Sequence, residues 1–166
     1  MLLGLSKLIG NPGGQVPFTT SLDLSDLQFG TNCPATEPVV CEGIVRNTAG
    51  VLLLTGALRT TLHGACDRCT VEFSRDVEYS VEAVLVTSLE NEDSEDEWTF
   101  LLDGDCADLD DIMTTAFVFS MEPKFLCQED CKGLCMTCGT NLNHGECQCK
   151  PEIDPRFAAL QQLLKK

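Results

Sequence analysis

Between residues 51 and 63 the chain alternates. Leu52, Leu54, Leu58 and Leu62 fall on one side, with Leu53, Thr55, Arg59 and Thr61 on the other. That is the period of a strand with one buried face. Residues 39–46 are a second β-rich run, and Asn47-Thr48-Ala49-Gly50 between the two suits a tight turn. The pattern predicts a hairpin. Beyond Cys69 the alternation resumes. Val71, Phe73, Val77, Tyr79, Val81, Ala83 and Leu85 share one face, and Glu72, Ser74, Asp76, Glu78, Ser80 and Glu82 share the other. A long antiparallel strand exposed on one side follows.

The pattern changes period near Asp108. Leu109, Ile112, Met113, Ala116 and Phe117 recur at helical spacing, and Asp108, Asp110 and Asp111 suit the N-terminal end of that helix. A second helix is predicted from Asp154-Pro155, with Phe157, Leu160, Leu163 and Leu164 on one side. It is too short to stand alone in water and must dock. At the start, Leu2, Leu5, Leu8 and Ile9 predict one short helix or a loose arm, ended by Asn11-Pro12-Gly13-Gly14. Residues 98–102 predict a short strand, and residues 91–97 (NEDSEDE) a loop.

These elements predict an α+β fold: a small antiparallel sheet or partly closed β-barrel, a few helices and a metal-binding C-terminal segment. The expected division is a core over residues 1–126 and a cysteine-rich segment with its terminal helix over 127–166, packed on that core. At 166 residues, 43% hydrophobic and 22% charged, the chain suits one globular unit. The start MLLGLSKLIG interrupts its apolar residues with Gly, Ser and Lys, so neither a membrane span nor a secretory signal is expected.

Charge is unevenly placed. Residues 72–111 hold fifteen acids and one base, Arg75, which gives −14; eleven acids and ten bases elsewhere leave −1 of the total −15. A broad phosphate-binding surface would be basic, so a large nonspecific nucleic-acid footprint is not expected. The acidic flank reads as a solvated surface or as a docking surface for a basic protein. Glu92, Asp93, Glu95, Asp96 and Glu97 are the candidate docking residues. The aspartates from 103 to 111 do not form a calcium loop, because the sixth position from Asp103 is Asp108 where glycine is required, and the twelfth is Thr114 where glutamate is required.

Eleven cysteines in a chain with no expected signal sequence point to metal or redox chemistry and away from a disulfide framework. Eight stand at metal-ligand spacings: Cys66 and Cys69, then Cys127, Cys131, Cys135, Cys138, Cys147 and Cys149. A two-residue gap lets both sulfurs reach one ion across a tight turn, so eight ligands suffice for two tetrahedral zinc ions. The preferred grouping makes Cys135, Cys138, Cys147 and Cys149 a local knuckle and joins Cys66 and Cys69 to Cys127 and Cys131. A competing grouping puts Cys127, Cys131, Cys135 and Cys138 on one ion and Cys66, Cys69, Cys147 and Cys149 on the other. Spacing does not choose between them.

His144 is a possible substitute for Cys147 or Cys149, whereas His63 reads as an ordinary strand residue. Cys33, Cys41 and Cys106 have no close partner in sequence. The same spacings are compatible with an iron–sulfur cluster. A redox role for Cys66 and Cys69 would need the following helix that lowers the thiol pKa in thioredoxin-like proteins; here a strand pattern follows. Closed thiolate sets imply structural metal, and the chain has no phosphate loop, dinucleotide fingerprint or nucleophile elbow. Nothing in it supports an enzyme.

CDRC at 66–69, CQEDCKGLCMTCGTNLN at 127–143, CQC at 147–149 and DPRFAALQQLL at 154–164 together resemble the YceD family of large ribosomal RNA subunit accumulation proteins, in the form with a cysteine-rich tail. Met136 stands where that family more usually has proline. The resemblance implies a non-enzymatic cytoplasmic factor, bacterial or organellar, needed for 23S ribosomal RNA accumulation and large-subunit assembly. It also implies that the CxxC pair can persist without the tail knuckle, as in some members. Implied partners are a basic ribosomal protein or processing factor, since the family's gene commonly neighbours one for a small basic ribosomal protein. A local contact with precursor 23S RNA would use the tail, where Lys124, Lys132, Lys150, Arg156, Lys165 and Lys166 lie. From another class, the competing reading is a zinc-stabilised interaction domain, transcription adaptor or metal carrier unrelated to ribosomes.

Overall fold

The computed structural model describes residues 1–30, 32–87 and 98–149. Its elements are β1 (Leu2–Gly4), α1 (Ser6–Ile9), β2 (Gln15–Leu22), β3 (Val39–Thr48), β4 (Val51–Ala65), β5 (Glu72–Val86), β6 (Thr99–Leu101), β7 (Cys106–Asp108) and α2 (Leu109–Ser120). Five strands form one sheet in the order β2-β3-β4-β5-β6, and β1 pairs separately with β7. Among the described residues the sheet is open, with β2 and β6 as its edges, so the small sheet is formed and the partly closed barrel is not. Its first three pairings are antiparallel, while β6 runs parallel to β5.

The expected hairpin forms between β3 and β4. Thr48 pairs with Val51, and Ala49 and Gly50 between them take φ values of 54° and 94°. Two successive residues at positive φ give the twist that matches two antiparallel strands. β4 and β5 then run side by side from Leu52↔Leu85 to Ala65↔Glu72. Their parity agrees with the sequence: Leu52, Leu54, Leu58 and Leu62 are buried with Val81, Ala83 and Leu85. Arg59, on the opposite face, bridges Glu42 at 3.0 Å and Glu78 at 2.9 Å across three strands. All three side chains are exposed, so this ladder contributes little to stability.

Helix α2 begins as predicted, with Asp108 Oδ1 accepting the Asp110 N–H at 3.1 Å. It buries Leu109, Ile112, Met113, Ala116 and Phe117. Phe117 meets Phe29 and Tyr79 edge to face, with ring centroids 6.3 and 6.1 Å apart. The helix thus covers the inner face of the sheet, where the apolar parity of β5 needs a partner.

The N-terminal segment is richer than a helix or arm. Leu2 lies in β1 and only Ser6–Ile9 is helical, because residues 2–4 find a partner in β7. Gln15–Leu22 is a strand that the sequence pattern did not announce. Its alternation is present, with Phe18 and Leu22 buried, but Pro17 weakens the signal. Proline is tolerated there because β2 is an edge. Phe18 pairs with Gly43, which in turn faces Gly56 on β4. A Cβ on Gly43 would lie 2.6 Å from both the Phe18 ring and the Thr55 carbonyl oxygen, so this close approach requires glycine. The helix expected from Asp154 lies outside the described residues.

One buried polar residue joins these parts. Asn47, 2% exposed, donates through Nδ2 to the carbonyls of Leu8 at 2.7 Å and Ile9 at 3.1 Å, and its Oδ1 accepts the Gly50 N–H at 2.9 Å. It closes the end of α1 and the β3–β4 turn at once, satisfying carbonyls that a short helix leaves open. Asn47→Ala should therefore destabilise the protein by about 1–3 kcal/mol, and Asn47→Asp by more, since it also places a carboxylate against two carbonyls. Urea unfolding midpoints measure this. A loss below about 0.5 kcal/mol, the level of an unremarkable surface substitution, would show that these bonds carry no stability.

Candidate metal centres

The tip of the β4–β5 hairpin is a cysteine turn. Cys66-Asp67-Arg68-Cys69 follows β4, the Thr70 N–H donates to the Cys66 carbonyl at 2.9 Å, and the Cys66 N–H donates to the Val71 carbonyl at 3.0 Å. Thr70 takes φ 58° to close the turn. The second turn, Cys135-Met136-Thr137-Cys138, is built alike: the Gly139 N–H donates to the Cys135 carbonyl at 2.9 Å, and Gly139 takes φ 73°. Glycine meets that conformation without strain, whereas a β-branched residue there is uncommon. Thr70 therefore takes, at the first turn, a conformation that glycine supplies at the second.

Distant chain is brought to the first turn by specific bonds. Asp67 exchanges two with Phe125: its N–H donates to the Phe125 carbonyl at 2.8 Å and its Oδ2 accepts the Phe125 N–H at 2.7 Å. The Phe125 ring stacks on Phe73 of β5 with centroids 4.6 Å apart. Arg68 Nη1 donates to the Cys131 carbonyl at 2.8 Å. These contacts set Cys127 and Cys131 opposite Cys66 and Cys69.

The eight sulfurs gather into two tetrads. Those of Cys66, Cys69, Cys127 and Cys131 all lie within 4.8 Å of one another, as do those of Cys135, Cys138, Cys147 and Cys149. Of the two groupings left open by spacing, the folded chain assembles this one. In the first tetrad Cys66 Sγ is 3.7 Å from Cys131 Sγ, and Cys69 Sγ is 3.6 Å from Cys127 Sγ. A tetrahedral ion with bonds of about 2.3 Å to sulfur needs edges of about 3.8 Å, so the cage fits a metal of zinc's size. The first tetrad is interior, with Cys66, Cys69 and Cys131 at 1–2% exposure; the second is half-buried, with Cys138 exposed.

Protons are distributed unequally within each set. Burial pushes the Cys66 thiol up, but N–H groups of Cys127, Cys69 and Arg68 outweigh it and bring the thiol down to about 6. Burial and the neighbouring sulfurs raise Cys127 to about 12. In the second set, N–H groups of Cys138 and Thr137 lower Cys135 to about 6, while hydrogen bonding to Cys138 and burial raise Cys149 to about 12. Four close thiols cannot all ionise without a cation, and a divalent ion supplies the missing positive charge. The lowered Cys66 thiol does not single out redox chemistry, because two further cysteines complete its cage.

The other candidates fall elsewhere. His144 joins neither tetrad, and His63 Nε2 faces Glu37 at 3.3 Å. Cys41 is buried in the core, its thiol pushed up to about 11 chiefly by desolvation. Cys33 is exposed, Cys106 lies in β7, and neither joins a tetrad. Asp67 and Arg68 were not singled out by sequence; as polar residues between two cysteines, their position was the available signal. The docking candidates Glu92, Asp93, Glu95, Asp96 and Glu97 lie outside the described residues.

A family profile described as "Large ribosomal RNA subunit accumulation protein YceD" matches residues 54–164, about two thirds of the chain and all eight tetrad cysteines. The chain belongs to the YceD family. No curated protein and no solved structure matches it. Membership brings a role in accumulation of the large ribosomal RNA subunit, the property for which the family is described.

Two measurements follow from the tetrads. Purified under reducing conditions, the protein should hold about two metal ions per chain by elemental analysis; one ion would remove a centre. With zinc in excess, Cys66→Ser should expose amides at the β4–β5 tip and along residues 122–134, whereas Cys147→Ser should expose mainly residues 135–149. Amide exchange separates the two, and equal loss of protection at the tip would contradict the division.

Proposed function

We propose that this YceD-family chain is a non-enzymatic ribosome-biogenesis factor that supports 23S ribosomal RNA accumulation and large-subunit assembly in the cytoplasm, with each tetrad holding a structural zinc ion. The family match over residues 54–164 carries this reading. The tetrads support the zinc component, since four cysteine donors close around a tetrahedral ion and leave no position for substrate. When bound, zinc would supply cross-linking and charge compensation. Asp67, Arg68 and the two cysteine turns hold the ligands in place.

The partner in this reading is a basic ribosomal protein or processing factor. β5 turns Glu72, Asp76, Glu78 and Glu82 outward, and the acidic run that includes Glu92, Asp93, Glu95, Asp96 and Glu97 follows it in sequence. A tetrathiolate zinc centre carries a further −2, which disfavours broad contact with RNA phosphates. Among the described residues no helix is long and apolar enough to cross a membrane, and no membrane partner is invoked.

Replacing Glu92, Asp93, Glu95, Asp96 and Glu97 with Ser or Asn should leave the metal content unchanged. The variant should lose salt-sensitive association with a basic partner and fail to restore 23S ribosomal RNA levels in a strain lacking the gene. Sedimentation of extracts shows whether the unaltered chain travels with large-subunit precursors. Absence from those fractions, together with normal 23S RNA in the deletion strain, would overturn the ribosomal reading. Full restoration by the variant would move the docking surface to the face of β5 or to the cysteine-rich tail.

A further inference from the structure

Asn143 links the loop of the outer tetrad to the inner tetrad. Its backbone belongs to the loop that leaves Cys138 and returns at Cys147, both in the outer tetrad, while its side chain reaches the inner one. The amide's orientation follows from its neighbours. The Lys132 N–H can only donate, and it meets Asn143 Oδ1 at 2.8 Å, with Gln128 Nε2 adding a second donor at 3.4 Å. Nδ2 is thereby turned to Cys131 Sγ at 3.3 Å and to Asn141 Oδ1 at 2.9 Å.

The loop is laid along residues 132–134 by further bonds. Asn141 Oδ1 accepts the Asn143 N–H at 3.0 Å, the Leu142 N–H donates to the Gly133 carbonyl at 2.9 Å, and Asn141 forms an antiparallel bridge with Leu134. An N–H aimed at a ligand sulfur orients it and complements the charge of a metal–thiolate bond. An ion that draws Cys135 and Cys138 to a common centre with Cys147 and Cys149 would close the ends of that loop and lower the entropy lost in holding the donor in place.

We propose that the two centres are thermodynamically coupled, with Asn143 as the positioning residue through which a filled outer tetrad tightens metal binding by the inner one. The inference rests on reading both tetrads as metal centres. By linkage, a filled inner tetrad favours the outer one by the same factor. The inner cage, which clamps the sheet tip, would thus be strongest only when the exposed tail is also loaded.

Cobalt(II) is a suitable probe, titrated into the full chain under reducing conditions against a competing chelator, with backbone amide signals of residues 66–70 and 135–139 reporting each centre. Asn143→Asp keeps an acceptor for the Lys132 N–H and removes the donor to Cys131; Asn143→Ser removes the contact without adding charge. Each should weaken the inner centre about tenfold while two ions still bind. Cys147→Ser should weaken it to a similar extent, and adding Asn143→Ser to Cys147→Ser should cost nothing further, because both changes remove one contact. Amide protection across β3, β4 and β5 shows that the sheet remains folded in every variant. Additive losses, or an inner affinity unchanged in Cys147→Ser while the unaltered chain binds two ions, would overturn the coupling and leave the two-ion reading standing. A chain that takes up no ion would overturn both.

Discussion

Four sulfurs held at van der Waals contact in a protein interior repel one another as they ionise, and a cation at their centre turns that repulsion into attraction. The cage of Cys66, Cys69, Cys127 and Cys131 is the junction on which the organisation of this chain depends. It joins the far end of the β4–β5 hairpin to a segment nearly sixty residues later, at the margin of the main apolar core, where Phe73 packs against both clusters. Among the described residues, Phe73, Leu126 and Leu134 pack around the sulfurs. Phe125, a member of the main core that stacks on Phe73, already brings the later segment to the tip, and in the metal reading an ion adds a direct link between the sulfurs that so small a cluster does not supply.

Hydrogen bonds around the cage explain how it is assembled. Asp67 and Arg68 lie between the first two cysteines and spend their polar groups on Phe125 and Cys131. The cysteine turn therefore carries the means of catching its partner segment. The outer cage differs in using cysteines from one continuous stretch, 135–149, so it needs no distant partner to close.

The sheet presents two surfaces of opposite chemistry. Its inner face is covered by α2 and the N-terminal elements, with Asn47 tying the end of α1 to the β3–β4 turn. Its outer face carries Glu42, Arg59, Glu78 and Glu82, where one arginine already meets two carboxylates. An acidic, solvated face beside thiolate cages suits a basic protein partner better than a phosphate backbone. This is the electrostatic basis of the proposed role.

Strand parity in 51–85, the helix start at Asp108 and the eight cysteine ligand candidates were legible in the sequence, because each depends on spacing along a few residues. β2 was not legible, since its proline makes sense only at a sheet edge, and edges are defined by the strands that fail to pair. The grouping of sulfurs was not legible either: both arrangements satisfy the same spacings, and the choice came from Asp67 meeting Phe125 across 58 residues. Thr70 takes at the first cysteine turn the left-handed conformation that Gly139 takes at the second, because that conformation is imposed there by the closing bonds and is not favoured by the residue. By itself the sequence determined the local periods, the charge, the candidate donors and the family resemblance. Only the tertiary structure decided which donors share a cage and which asparagine of the outer loop reaches the inner cage, because those contacts join residues whose proximity no local pattern encodes.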